Sequence, residues 1–167
     1  MKKIGLLVVL AACFINAVAQ KQSYDFLKGE KEMFIVLDYS VAKLNKKQSN
    51  AFFTLKNIED PDYEAQYRKS MMQILVSDIN KYLPSDFIVV PYDKNAKYKL
   101  TVKVMTVDDD GDTQAYIFIS DIDSHEIKSQ FFLEANGGRW GSFANLSGDA
   151  MENIACSIGR HLAKRMK

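Results

Sequence analysis

Cysteine and histidine are scarce in this chain of 167 residues. It has two cysteines, Cys13 and Cys156, and two histidines, His125 and His161, at no spacing typical of a zinc site. Since processing of the N-terminus either removes Cys13 or attaches lipid to it, no intramolecular disulfide can form in the mature chain. These absences exclude a disulfide scaffold and argue against a zinc centre or a Ser-His-Asp triad.

An excess of charge of one sign is also missing. The formal net charge is +1, and loss of Lys2 and Lys3 with a leader changes it to about −1. A nucleic-acid binder needs a basic footprint that this balance does not provide, so we expect no nucleic-acid partner. The glycines at 137, 138 and 141 lack the lysine and hydroxyl of a phosphate-binding loop. They predict a flexible connector, and we expect no cofactor.

The N-terminus has the three parts of a secretory signal peptide. Lys2 and Lys3 are followed by the uncharged segment 4–15, and small residues precede a cleavage position after Ala19. The uncharged segment is shorter than the roughly 20 apolar residues that span a bilayer. We therefore expect export to the periplasm or the cell exterior, with no transmembrane segment in the mature protein.

The same segment permits a second interpretation. Leu10 to Cys13 fits a lipobox, in which Cys13 receives lipid and becomes the N-terminus of the mature chain. The residues that follow, Phe14 and Ile15, are apolar where a tether is usually polar. Cleavage after Ala19 is the favoured prediction, and a lipid anchor at Cys13 is the alternative.

About 150 residues remain after cleavage, the size of one domain with one core. We predict a signal peptide over 1–19, an N-terminal lead over 20–30 and a single α/β domain over 31–167. Apolar runs and period-two alternation predict strands, with turn residues between the last three. The predicted strands cover 33–37, 87–90, 98–104, 115–119 and 127–135. Segment 41–59 is ambiguous, since 51–55 fits either a short strand or a loop.

Two amphipathic helices complete the pattern. Asp60 and Pro61 predict the start of the first, and Pro84 ends it. The second spans about 146–165, with Ser147 or Asp149 as N-cap. The order of elements predicts an α+β fold, a two-layer sandwich of a mainly antiparallel sheet of about four to five strands with both helices on one face.

Acidic residues cluster at 108–112. Asp108, Asp110 and Asp112 are weak candidates for a Ca²⁺ site, because Ca²⁺ takes six to eight oxygen ligands. The EF-hand pattern fails in both possible registers, since Ile119 or Ile117 replaces the final glutamate. A solvated turn is the favoured interpretation, and we assign no metal site.

Aromatic residues in irregular segments are the candidates for partner binding. Phe52, Phe53 and Trp140 would anchor a protein or glycan if they were exposed. Buried, they would close the ends of the core. The partner surface is therefore predicted over residues 41–59 and the loop 137–143, because irregular loops on a rigid scaffold often bind.

The order of elements resembles a known type of domain. The chain has Asp-Tyr-Ser after the first strand (38–40) and an Ala-x-Tyr-x-Leu strand start (96–100), between a signal peptide and a C-terminal helix. In this it is similar to the small α/β envelope domains of the periplasmic activators of penicillin-binding proteins and of the curli-secretion lipoprotein of Gram-negative bacteria. The resemblance covers most of residues 30–167. It implies an α/β sandwich that binds envelope proteins and has no catalytic residues.

The leading hypothesis is thus an exported, non-enzymatic interaction module of the bacterial envelope, with an envelope protein or glycan as partner. One alternative is a glycan- or peptide-directed hydrolase that uses carboxylates the sequence does not identify. The other is a weak Ca²⁺ or small-ligand binding protein.

Intact-mass analysis of the protein recovered from native soluble and membrane fractions tests the leader. We expect a soluble species that begins at Gln20. A heavier, lipid-modified species that begins at Cys13 would contradict cleavage after Ala19 and would attach the domain to a membrane.

Overall fold

The computed structural model describes residues 24–92 and 95–167. A 3-10 turn at Asp25–Leu27 precedes the regular elements. In chain order these are β1 (Glu32–Asp38), β2 (Lys43–Leu44), β3 (Lys47–Gln48), α1 (Ser49–Glu59), α2 (Tyr63–Asn80), β4 (Ile88–Val90), β5 (Tyr98–Val107), β6 (Thr113–Asp121), β7 (Ile127–Ala135) and α3 (Phe143–Arg165). Within this described part, no helix combines the length and apolarity that crossing a membrane requires. The predicted leader, including Cys13 and Ala19, lies outside it.

Strand β5 is the centre of a seven-stranded mixed sheet. One edge of β5 pairs in parallel first with β1 and then with β2, and the other edge pairs antiparallel with β6. Strand β4 adds to β1 in parallel, β7 adds to β6 antiparallel, and β3 forms a short hairpin with β2. The α+β class is confirmed, and the meander β5–β6–β7 lies where the alternation predicts it.

The predicted strand count needs correction. The sheet has seven strands rather than four to five, because β2 and β3 have two residues each and show no periodicity. The sheet is mixed because α1 and α2 return the chain to the same end of the sheet between β1 and β4. A strand–helix–strand crossover of this kind makes its two strands parallel.

Helices α2 and α3 cover one face of the sheet, as predicted. The inward side chains of β5 lie under them and are almost fully buried: Tyr98, Leu100, Val102 and Val104. The helices approach each other closely at Gly159, where a Cβ atom would lie 2.8 Å from the carbonyl oxygen of Ile79. The predicted lead joins this core through Tyr24 and Leu27.

The segment 41–59 contains a helix that the sequence pattern does not indicate. Helix α1 packs Phe52 and Phe53 against Tyr39, which follows β1, and against aromatic residues of α2 and α3, with ring centroids 4.8 Å apart between Phe52 and Phe143. Its end also caps α2, since the Asn57 side chain accepts a hydrogen bond from the Glu64 backbone N–H at 3.0 Å. Helix α2 therefore begins at Tyr63, after the predicted N-cap Asp60. Helix α3 begins at Phe143, where Ser142 is the N-cap instead of Ser147 or Asp149.

Gly111 lies in the β5–β6 turn, beneath the first turn of α3. Its φ is +83°, and a Cβ atom there would lie 2.5 Å from the carbonyl carbon of Leu146. Gly29 has nearly the same backbone angle, +86°, with nothing within 4 Å of its Cβ position. Substitutions at the two glycines therefore distinguish the cost of backbone strain from the cost of steric overlap.

We expect Gly29→Ala to lower the free energy of unfolding by about 1 kcal/mol, from left-handed backbone strain alone. Gly111→Ala should cost about 2 kcal/mol more, because backbone atoms of α3 must move to admit the methyl group. Urea unfolding of the two variants measures the difference. Equal losses would contradict the close packing of this turn against α3.

Candidate functional site

The sheet face opposite the helices is uncovered over the described residues and carries an aromatic cluster. Tyr116 of β6 and Phe132 of β7 are cross-strand partners, with ring centroids 5.1 Å apart. Phe118 lies on the same face, 6.2 Å from Tyr116. Tyr116 and Phe132 are 43% and 42% exposed. We call this surface the open face.

A shallow groove crosses the open face near the β2 end of β5. Its volume is about 440 Å³. Apolar side chains from four segments line it, together with polar side chains of β2, β5 and β6; the lining residues are Val41, Lys43, Met105, Thr106, Gln114, Tyr116 and Phe132. A β-bulge between Val104 and Thr106 turns Met105 out of the regular register at this point. The groove therefore offers aromatic and thioether surface beside hydrogen-bonding groups.

Two lysines border the groove without an ion-pair partner among the described residues. Lys43 lies on the rim, and Lys103 is the cross-strand neighbour of Tyr116. On the opposite rim, Gln114 bridges Thr106, whose hydroxyl donates at 3.2 Å, and Glu134, which accepts at 3.5 Å. This arrangement suits a partner that presents an apolar or ring surface with an anionic group next to it.

The three aromatic residues proposed as partner anchors differ in solvent exposure. Phe52 and Phe53 are 4% and 1% exposed, because α1 turns both rings into the core. They close the core and are not available to a partner. Trp140 is 89% exposed at the tip of the 137–141 loop. Its role in binding stays a prediction.

The carboxylates of the 108–112 turn are used within the fold. The Asp108 carboxylate accepts hydrogen bonds from the N–H groups of Asp110 and Asp112 at 3.0 and 2.9 Å. That of Asp112 accepts from the Gly137 N–H at 2.7 Å and so holds the 137–141 loop against the turn. Nowhere between residues 24 and 92 or 95 and 167 do three His, Cys, Asp or Glu side chains meet as metal ligands would. The structure gives the Ca²⁺ hypothesis no support.

Acidic residues line two cavities that bear on the hydrolase hypothesis. One, of about 290 Å³, holds Glu30 and Asp86 beside the 3-10 turn. The other, of about 200 Å³, holds Asp108, Asp112 and Glu134. In the second, the Asp108 and Asp112 carboxylates already accept backbone hydrogen bonds, which are structural roles.

His161 of α3 is half-buried between Phe131 and Tyr24. Its ring stacks on Phe131 of β7 at 4.1 Å, and its Nε2 atom lies 2.8 Å from the Tyr24 hydroxyl. The same hydroxyl lies 2.8 Å from the Ser129 hydroxyl. Burial, together with Arg165 and Lys164, lowers the pKa of His161 to about 4. The ring is therefore neutral near pH 7, and this cluster fixes Tyr24 to α3 and β7.

The open-face residues were missed at the sequence level, although β6 contained a signal. Tyr116, Ile117 and Phe118 make β6 apolar on both faces, a pattern that suggests a strand covered on both sides. In the structure only the Ile117 side is covered. An edge-adjacent strand with aromatic residues on its second face is thus a signal for an exposed apolar surface.

Comparisons with known proteins give no family. No family model matches the chain, and no curated protein is significantly similar to it. Among solved structures it is similar to the DUF330 protein XCC0632 from Xanthomonas campestris, with 10% identity and a TM-score of 0.38 over 54% of this chain. The chain spans 60% of that protein's length.

It is also similar to the PelC dodecamer from Paraburkholderia phytofirmans. The identity is 11% and the TM-score 0.40, over 75% of this chain and 86% of PelC. A point variant of the same dodecamer in another crystal form gives 12% and 0.41, over 79% and 88%. Likenesses with these TM-scores carry no conclusion about the function of the chain.

His161 should make stability depend on pH. Its pKa in the folded chain, about 4, is below the ordinary 6.5, so the unfolded chain binds the proton more readily. The free energy of unfolding should be highest above pH 6.5 and should fall as pH decreases from 6.5 to 4. In His161→Gln, which cannot titrate, the decrease in urea midpoint between pH 7 and pH 5 should be smaller than in the wild type. An identical pH dependence in both proteins would show that His161 is protonated freely in the folded state.

Proposed function

We propose that the chain is an exported, non-enzymatic interaction module of the bacterial envelope that binds its partner in the open-face groove. The observation that carries the proposal is the one-sided covering of the sheet. Helices bury one face, whereas the other leaves Tyr116 and Phe132 close to half exposed beside a groove. Contiguous exposed apolar surface of this kind marks interaction sites in soluble proteins.

The chemistry of the groove supports binding. Aromatic side chains with few rotatable bonds lose little entropy when a partner covers them, and they are enriched among residues that dominate binding energy. Both rings stand on paired strands, so the scaffold holds them in place before binding. Lys43 and Lys103 add positive charge that an anionic group of the partner would neutralise.

The envelope part of the proposal rests on the sequence. Residues 1–19 have the pattern of a signal peptide, and the order of elements resembles the penicillin-binding-protein activators and the curli-secretion lipoprotein. An envelope protein and a glycan are both compatible with an aromatic groove bordered by lysines. The exposed Trp140, on the loop after β7, is a second candidate contact for the same partner.

A photo-crosslinking side chain placed at Tyr116 tests the groove in living cells. We expect a crosslinked species from position 116 and none from Gln73, an exposed position on α2 that serves as the matched control. Adding Phe132→Ser should reduce the yield at least about tenfold, because truncation of a central aromatic contact typically costs 2 kcal/mol or more. Mass spectrometry of the adduct identifies a peptide or a glycan.

The thermal midpoint of the Phe132→Ser protein is the control for folding, and it should change little because the side chain is half exposed. Adducts from Trp140 and none from Tyr116 would assign binding to the loop and overturn the groove proposal.

A further inference from the structure

The two edges of the sheet differ in how well they are shielded from pairing with another chain. At one edge, β4 has three residues and Pro91 follows it directly. At the other, β7 has nine residues without proline or glycine and pairs only with β6 among the described strands. Exposed edges template pairing with another chain, and proteins usually shield them with short strands, proline or bulges. Strand β7 has a bulge only at Lys128, which leaves Ser129–Ala135 straight.

Apolar side chains lie along this unprotected edge. On the helix side of β7, Phe131 and Leu133 are half-buried, whereas their neighbours Ile117 and Ala115 on β6 are fully buried. Helix α3 thus covers the row on β6 completely and that on β7 in part. A further strand beside β7 would complete the cover and pair its free backbone groups.

We propose that a second copy of this chain pairs antiparallel with β7, about a two-fold axis at Phe131. In this register Phe131 faces its own counterpart, and Gln130 faces Phe132 of the second copy. Lys128, which already pairs with Glu126 of its own strand, then lies opposite Glu134 of the second copy, and the symmetry repeats this contact. Opposite charges facing each other across strands stabilise the pairing.

The positions of the charged residues favour this register over the neighbouring registers. Registers that keep the helix-side residues on one face differ by two residues in pairing. An axis at Gln130 would place Lys128 opposite Phe132 and leave Glu134 without a basic partner across the strands. An axis at Phe132 would place Glu134 opposite Gln130 and leave Lys128 with only Glu126 of its own strand as an acidic partner. Only the axis at Phe131 pairs the basic and acidic ends of β7.

The pairing has a functional consequence. A two-fold axis perpendicular to the sheet keeps the helices of both copies on one side and both open faces on the other. Two grooves would then face the same direction from one continuous sheet. A repetitive or membrane-bound partner could occupy both, and its second contact would be intramolecular. The dimer itself does not depend on what the groove binds.

Charge exchange tests the register. We expect the wild type to form a dimer by analytical ultracentrifugation at low ionic strength, where surface charges are least screened. Lys128→Glu and Glu134→Lys should each weaken the dimer about tenfold, because each replaces two attractive pairs by two repulsive ones. The double exchange should restore association toward that of the wild type, because it re-forms both pairs between the copies although it loses the Lys128–Glu126 pair within each strand. An equimolar mixture of the two single variants should form a heterodimer, in which both opposite-charge pairs are regained.

Lys69→Glu, the same charge change at an exposed position of α2, is the matched control and should leave association unchanged. Thermal midpoints show whether each variant is folded, and the heterodimer shows that the single variants are competent to pair. A wild type that remains monomeric at millimolar concentration would overturn the proposal. So would single variants that dimerise as the wild type does, or a mixture that fails to form a heterodimer.

Discussion

Burial of one face of β5 is the constraint on which the rest of the structure depends. Its alternate side chains from Tyr98 to Val104 enter the core, and both of its edges are paired. Since side chains alternate across a strand, the side chains of β5 that do not face α2 and α3 must lie on the opposite face of the sheet. The open face and its groove are a consequence of this alternation. A third layer would be needed to cover them, and the described part of the chain provides none.

A cluster of aromatic rings closes the end of the core near α1. Phe52 and Phe53 meet Tyr39, just after β1, Tyr67 of α2 and Phe143 of α3. The Tyr67 hydroxyl donates to Ser147 at 3.1 Å, so the buried polar group is satisfied. This cluster joins elements that are distant in sequence. It converts the segment expected to bind a partner into part of the hydrophobic core.

The two ends of α3 have different roles. Near its C-terminus, the Tyr24 backbone N–H donates to the Arg165 carbonyl at 3.3 Å. At its N-terminus, the loop with Trp140 leads into Phe143. A helix of 23 residues is about 34 Å long. Tyr24 and the 137–141 loop therefore lie near opposite ends of this helix.

Elements with long, regular sequence patterns were predictable from the sequence alone. Strand β7 has the predicted bounds, β5 and β6 extend the predicted strands by a few residues, and the apolar stripe of α2 is buried as its period indicates. Helix α1 and the hairpin β2–β3 were not predictable, because contacts with distant rings and strands stabilise them. The parallel pairing of β1 with β4 and β5 likewise depends on how the helices return the chain. Periodicity shows that a strand has two faces, but only the tertiary structure decided which face the helices cover, because that choice depends on packing between elements far apart in the chain.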